Sequence, residues 1–114
     1  MIIRVREGGF SDIELLIQAC QLQGTALFEL ERWRTFRFTE TGEPKNFVTG
    51  YPETVLVAES EGRVIGYLHF FIDCWDGYDT EIILKGYDPG LESGESARTM
   101  RLLDEVYRKN ISEI

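Results

Sequence analysis

Residues 55–73, VLVAESEGRVIGYLHFFID, decide the fold. Two runs of Val, Ile, Leu and aromatic residues flank the dipeptide Glu61-Gly62. β-Branched and aromatic side chains suit a pleated, half-buried surface. A short Gly-containing turn between two such runs is the signature of a tight hairpin. The stretch therefore predicts strands over Thr54–Ser60 and Arg63–Asp73. Downstream, Asp76-Gly77-Tyr78-Asp79 turns the chain again, and Thr80–Tyr87 reads as a further strand. The three make an antiparallel meander.

Upstream, Met1–Arg6 alternates apolar and charged residues and predicts a strand. Ser11-Asp12 offers an N-cap with Glu14 in the first turn, and Ile13, Leu16, Ile17 and Cys20 recur at helical spacing. A helix is expected over Asp12–Leu22. Gly24-Thr25 breaks it, and Leu27, Phe28, Leu30, Glu31 and Trp33 suggest a second helix that ends at about Arg34. Residues 39–53, with two Gly, two Pro and many polar groups, read as a loop. A third helix is expected over Glu95–Lys109, with Leu102, Leu103 and Val106 on one face, and Asn110–Ile114 as a tail. The order is β-α-α-β-β-β-α, a mixed α/β (α+β) architecture with helices on the faces of one sheet. Ile13, Leu16 and Ile17 are expected to pack on Val55, Val57, Ile65 and Leu68, and the third helix on the sheet as well.

A chain of 114 residues supports one domain, residues 1–114, with one modest core. No apolar run reaches the roughly 18 residues of a membrane span. The opening MIIRVREGG lacks the apolar segment of a signal peptide, so a cytoplasmic setting is expected. The net charge of −8 disfavours nucleic acid and anionic membranes as partners. Arg32, Arg34 and Arg37 interleave with Trp33, Phe36 and Phe38, a pattern that can stack bases. Glu29, Glu31 and Glu40 beside them make a solvated helix edge the simpler reading. Cys20 and Cys74 lack CxxC spacing and read as buried free thiols. His69 is the sole histidine, read as a satisfied core or face residue, and no His/Cys cluster has metal-ligand spacing. Asp73, Asp76 and Asp79 match no Ca²⁺ loop and read as turn residues. Trp75 and Tyr78 suit either an exposed aromatic patch or core packing. Tyr107 and Arg108 read as packing and solubility residues.

Residues 84–103, LKGYDPGLESGESARTMRLL, carry the chemistry. A strand, a loop with two glycines and a helix N-terminus in that order make an anion cradle of free N–H groups and a positive helix end. Yet the loop carries Asp88, Glu92 and Glu95, with no Lys or Arg before Arg98. Those carboxylates would repel a pyrophosphate.

With the elements in this order, the chain resembles the GNAT superfamily of acyl-CoA-dependent N-acyltransferases. MIIRVREGGFSDIELLIQAC resembles the family's opening strand and helix, VLVAESEGRVIGYLHFFID its hairpin of strands 2 and 3, and EIILKGYDP its strand 4 before the cofactor loop. The resemblance implies a GNAT-like fold and, in a working member, an acetyl-CoA pyrophosphate held by amides around Ser93, Gly94, Glu95, Ser96 and Ala97. It also implies Glu81 as a base that deprotonates an amine through water, against the plain reading of an alternating surface residue. Two departures stand out. The family loop reads Gln/Arg-x-x-Gly-x-Gly/Ala, and the overlay places Glu92, Glu95 and Ala97 at those positions, so that only Ala97 fits. The family continues after helix 3 with strand 5, a helix that often bears a tyrosine general acid, and two more strands, whereas this sequence stops about five residues beyond helix 3. The expectation is a degenerate GNAT-like domain, truncated after its third helix. It would hold no cofactor and act as a non-catalytic binding or structural module in a multi-protein assembly, such as those of phages. The alternative is an acetyl-CoA-dependent N-acetyltransferase whose cleft a partner chain completes. Either way, a protein partner or a homo-oligomer is expected to cover the strand over residues 80–87.

Overall fold

Glu61 and Gly62 both take left-handed backbone angles, φ +54° and +77°. Two consecutive positive φ values close a two-residue hairpin whose twist matches the strands it joins. In the computed structural model, which describes residues 1–45, 53–73 and 79–112, this turn links β2 (Glu53–Ser60) to β3 (Arg63–Asp73). β1 (Arg4–Glu7) pairs antiparallel with β2, and β4 (Asp79–Tyr87) with β3. The result is a four-stranded antiparallel sheet in the order β1-β2-β3-β4. Among the described residues three helices complete an α+β domain: α1 (Asp12–Ala19), α2 (Gly24–Arg37) and α3 (Ser93–Ser112).

The sheet has a core on each face. Ile13 and Leu16 of α1 and Leu30 and Trp33 of α2 bury Val55, Val57, Val64 and Tyr67 on one side. Leu103 and Tyr107 of α3 bury Leu56, Ala58, Ile65, Leu68 and Phe70 on the other. Ile65 and Leu68 thus lie on the α3 face, not under α1 as expected. Leu68 follows from the register, paired with Leu56, which alternates with Val55 and Val57; Ile65 follows from a β-bulge, in which Ala58 pairs with Gly66 and Glu59 with Val64 and Ile65 is left as an extra residue on β3. Ile65 and Gly66 then both point toward α3, and strict alternation fails there. Leu102 is only half-buried and lies outside both cores, whereas Val106 packs on the α3 side.

The helix limits also differ from those expected. α1 ends at Ala19 rather than Leu22. Gln21 turns left-handed at φ +52°, the Leu22 N–H donates to the Ile17 carbonyl at 3.0 Å, and that of Gln21 donates to Gln18 at 3.4 Å. This pair of bonds is a Schellman cap formed without glycine. Ser11 makes no side-chain cap on α1. Asp12 anchors the start instead: its carboxylate accepts the Gly9 N–H at 2.7 Å and a bidentate bond from Arg6 at 2.7 and 2.9 Å. α2 begins at Gly24, whose φ of +61° admits the chain into the helix, and runs three residues past Arg34. Within the expected 39–53 loop, residues 38–45 fold back on themselves. Phe38 bridges Pro44, and Gly42, at φ +88°, sits where a Cβ would meet the Phe10 ring at 3.0 Å. α3 starts two residues before Glu95 and runs to Ser112, past Lys109 and into the expected tail. No helix among the described residues is long and apolar enough to cross a membrane.

Candidate functional site

The turn from β4 into α3 is the place to look for anion binding, and its backbone donors from Asp88 to Leu91 are committed within the fold. The Asp88 N–H donates to the Ile65 carbonyl at 2.8 Å, tying the end of β4 to the bulge of β3. The Leu91 N–H donates to the Asp88 carbonyl at 3.1 Å. The Gly90 N–H donates to Oδ1 of Asp88 at 2.7 Å, so a carboxylate of the chain itself takes up a donor that an anion cradle would offer. The other oxygen, Oδ2, lies 3.5 Å from the exposed Arg63 guanidinium.

Because α3 opens at Ser93, the residues expected to form a cofactor loop form the first helical turn instead. Ser93, Gly94 and Ala97 are exposed, Glu95 is half-buried and Ser96 is buried. The Ser96 N–H donates to the Glu92 carbonyl at 2.9 Å and its hydroxyl to the Ser93 carbonyl at 3.0 Å. The Thr99 hydroxyl donates to the Glu95 carbonyl at 2.8 Å. The N–H groups of Glu92, Ser93, Gly94 and Glu95 precede the first intrahelical bond and lack an intrahelical acceptor. Beside them, a cavity of about 340 Å³ opens toward the β2–β3 turn, lined by Ser60, Glu61, Arg63, Glu92 and Glu95 among others. Among the side chains of that lining Glu61, Glu92 and Glu95 outnumber Arg63, a balance that disfavours a polyphosphate.

Glu81 is exposed on β4, opposite Phe71 of β3. It lies six residues from the end of the strand, about 20 Å from the α3 turn at roughly 3.3 Å per residue. The structure therefore does not bring the expected base and the expected cofactor turn together. Between them β4 carries a second bulge: His69 pairs with Leu84 and Phe70 with Ile82, leaving Ile83 unpaired. Ile82 consequently packs on the α3 side and Leu84 on the opposite side. Among the described residues no strand pairs the outer edge of β4. Tyr107 fastens α3 to this strand, its hydroxyl meeting Thr80 Oγ1 at 2.9 Å and its ring lying edge-on to Phe70 at 5.0 Å.

The polar cluster that sequence reasoning missed lies under α2. Glu53, which opens β2, is nearly buried. Its Oε1 accepts from Arg32 at 2.6 Å and meets Nε2 of His69 at 2.8 Å, and its Oε2 accepts from Arg32 at 3.2 Å. Arg32 also binds Glu29 at 2.7 Å, and the Trp33 indole N–H donates to the Glu53 carbonyl at 3.2 Å. His69 is fully buried, and its Nδ1 has no hydrogen-bond partner among the described residues. Only half of the satisfied histidine expected from the sequence is present. Burial holds its pKa below the ordinary 6.5, outweighing the attraction of Glu53. A carboxylate at Nε2 places the proton there and leaves Nδ1 as the bare acceptor.

The basic stretch is divided among separate partners. Arg32 serves the buried cluster, Arg34 pairs with Glu14 and sits over the Phe10 ring, and Arg37 sits over Phe38. Trp33 and Phe38 are buried, while Phe36 is exposed. Cys20 is a half-buried free thiol whose pKa burial and Asp88 push up to about 12, which makes it a poor nucleophile. Cys74, Trp75, Asp76 and Tyr78 lie outside the described residues, and with them the Asp73–Asp76–Asp79 group. Among the described residues no cluster of His, Cys, Asp or Glu could hold a metal ion. Compared with protein-family models, with curated proteins and with solved structures, the chain matches none of them.

Proposed function

We propose that this chain is a GNAT-like domain that acts as a non-catalytic binding or structural module within a larger assembly, of the kind that phages build. The observation that carries the reading is the Asp88 turn. Its carboxylate occupies the Gly90 amide, the Asp88 and Leu91 amides are bonded within the fold, and Glu92 and Glu95 flank the remaining donors. A pyrophosphate on the remaining first-turn amides would lie against the carboxylates of Glu92 and Glu95 and would gain nothing from the Gly90 amide. The partner surface in this reading is the outer edge of β4, where a second copy or another protein adds a strand. Titration of the chain with acetyl-CoA by calorimetry tests it: no measurable heat supports the reading, and micromolar affinity overturns it.

The second reading is an acetyl-CoA-dependent N-acetyltransferase completed by a partner. It draws on the first-turn N–H groups of Ser93, Gly94 and Glu95, on Glu81 as base, and on the Ile83 bulge, a distortion common beside active sites. The same titration, repeated with any co-purifying partner present, separates the two readings.

A further inference from the structure

Glu53 is the point at which α2 is fastened to the sheet. Arg32 of α2 grips both its carboxylate oxygens, and the Trp33 indole bonds its backbone carbonyl. On the sheet side its partner is His69 of β3, through Nε2. The other ring nitrogen is buried, edge-on to Trp33 at 6.5 Å between ring centroids, and faces no acceptor among the described residues. We propose that His69 and Glu53 form an acid-sensitive clasp that holds α2 on the sheet at neutral pH and loosens when the imidazole takes up a second proton.

The argument rests on where that proton must go. It adds to Nδ1, and the new N–H then lies in the core with nothing to receive it, a burial that favours any state in which water can reach the ring. The groups facing His69 among the described residues are Glu53 from β2, and Arg32 and Glu29 from α2; Leu84, its partner on β4, is apolar. The two glutamates favour the charged ring, while burial and Arg32 oppose it, and burial is the largest of these influences. The ring of the closed form therefore protonates below 6.5, whereas the ring of an open form protonates near 6.5. Between those two values the open form binds more protons, so its population rises as pH falls, by up to about tenfold per pH unit. Below the lowered value the dependence stops.

His69 is the sole histidine of the chain, so the effect can be assigned to one group. The experiment is hydrogen exchange on the full chain from pH 7.5 to 5, comparing protection factors along α2 (Leu30–Arg37) with those in the middle of α3 (Leu103–Tyr107). The expected result is a fall in α2 protection beginning below pH 6.5, at up to about tenfold per unit, with α2 less protected than α3 throughout because it opens without global unfolding. In His69→Gln, whose amide can donate to Glu53 without titrating, the α2 protection should stay flat. α2 as strongly protected as α3 throughout, no loss in α2 as pH falls, or the same slope in His69→Gln would each overturn the proposal. Should His69→Gln not fold, the ring titration of the unaltered chain by NMR decides: a value well below 6.5 supports the clasp, and one at or above 6.5 overturns it.

Discussion

Gly66 sits where the β3 bulge meets α3, and replacing it by alanine gives a sharp test of that packing. A Cβ on residue 66 would lie 2.9 Å from Thr99 Cγ2, 3.1 Å from the Gly86 carbonyl oxygen and 3.5 Å from Leu103 Cδ1. Comfortable carbon–carbon contact is about 3.5–4.0 Å, so α3 must retreat by roughly 0.6–1.1 Å or Thr99 must leave its rotamer. Thr99 is fully buried and its hydroxyl is engaged with the Glu95 carbonyl, so it has little freedom to turn. Overpacking of this kind costs about 1–3 kcal/mol. At about 4 °C per kcal/mol for a domain of this size, Gly66→Ala should lower Tm by about 4–12 °C. Thr99→Ser removes Cγ2 and keeps the hydroxyl. Scanning calorimetry on the wild type, both single variants and the double variant closes a cycle. The double variant should recover at least about 0.5 kcal/mol relative to the sum of the singles. It should not recover fully, because the Gly86 carbonyl still crowds the new methyl. A Gly66→Ala variant as stable as the wild type, or strictly additive effects, would refute the placement of α3 against the bulge.

Two further predictions concern acid stability and association. Arg6, through its hydrogen bonds, and then the Gly9 amide hold the Asp12 carboxyl below its ordinary 3.8. The pairing therefore stabilises the fold fully above that value and is lost as pH falls through the lowered one; Asp12→Asn should flatten the acid limb of a Tm-versus-pH curve below about pH 4, and an unchanged limb would contradict it. If the outer edge of β4 is a docking surface, light scattering should show association and the amides of residues 80–87 should exchange slowly. A stable monomer whose outer β4 amides exchange rapidly, and which retains no strand partner, would refute that surface.

Much of the fold is legible in the sequence because its signals are local. The Glu61-Gly62 turn, the 3.6-residue spacing of Ile13, Leu16 and Ile17, and the limits of β3 depend on neighbours in the chain. What sequence could not show depends on neighbours in space. The bulges at Ile65 and Ile83 are single-residue slips with no compositional mark; the first moves Ile65 to the α3 face and the second puts Ile82 and Leu84 on opposite faces. The Asp12 anchor replaces the expected Ser11 cap because Arg6, six residues upstream, is brought against it by β1. The clasp joins residues 32, 53 and 69, and Glu53, the last residue of a polar stretch in the sequence, opens β2 in the structure. The acidic character of the β4–α3 turn was plain in Asp88, Glu92 and Glu95. That the Asp88 carboxylate takes the Gly90 amide, and that α3 starts at Ser93, follow only from the folded backbone.

The central claim is that the Asp88 turn does not accept a pyrophosphate, and the most direct measurement is a calorimetric titration of the purified chain with acetyl-CoA at low ionic strength, where charge effects are strongest. Repulsion from carboxylates at a partly screened site amounts to a few kcal/mol, enough to carry a micromolar affinity into the millimolar range. The account predicts no saturable heat up to about millimolar ligand. A dissociation constant near micromolar, abolished by placing bulk at Gly94 in the first turn of α3, would contradict it.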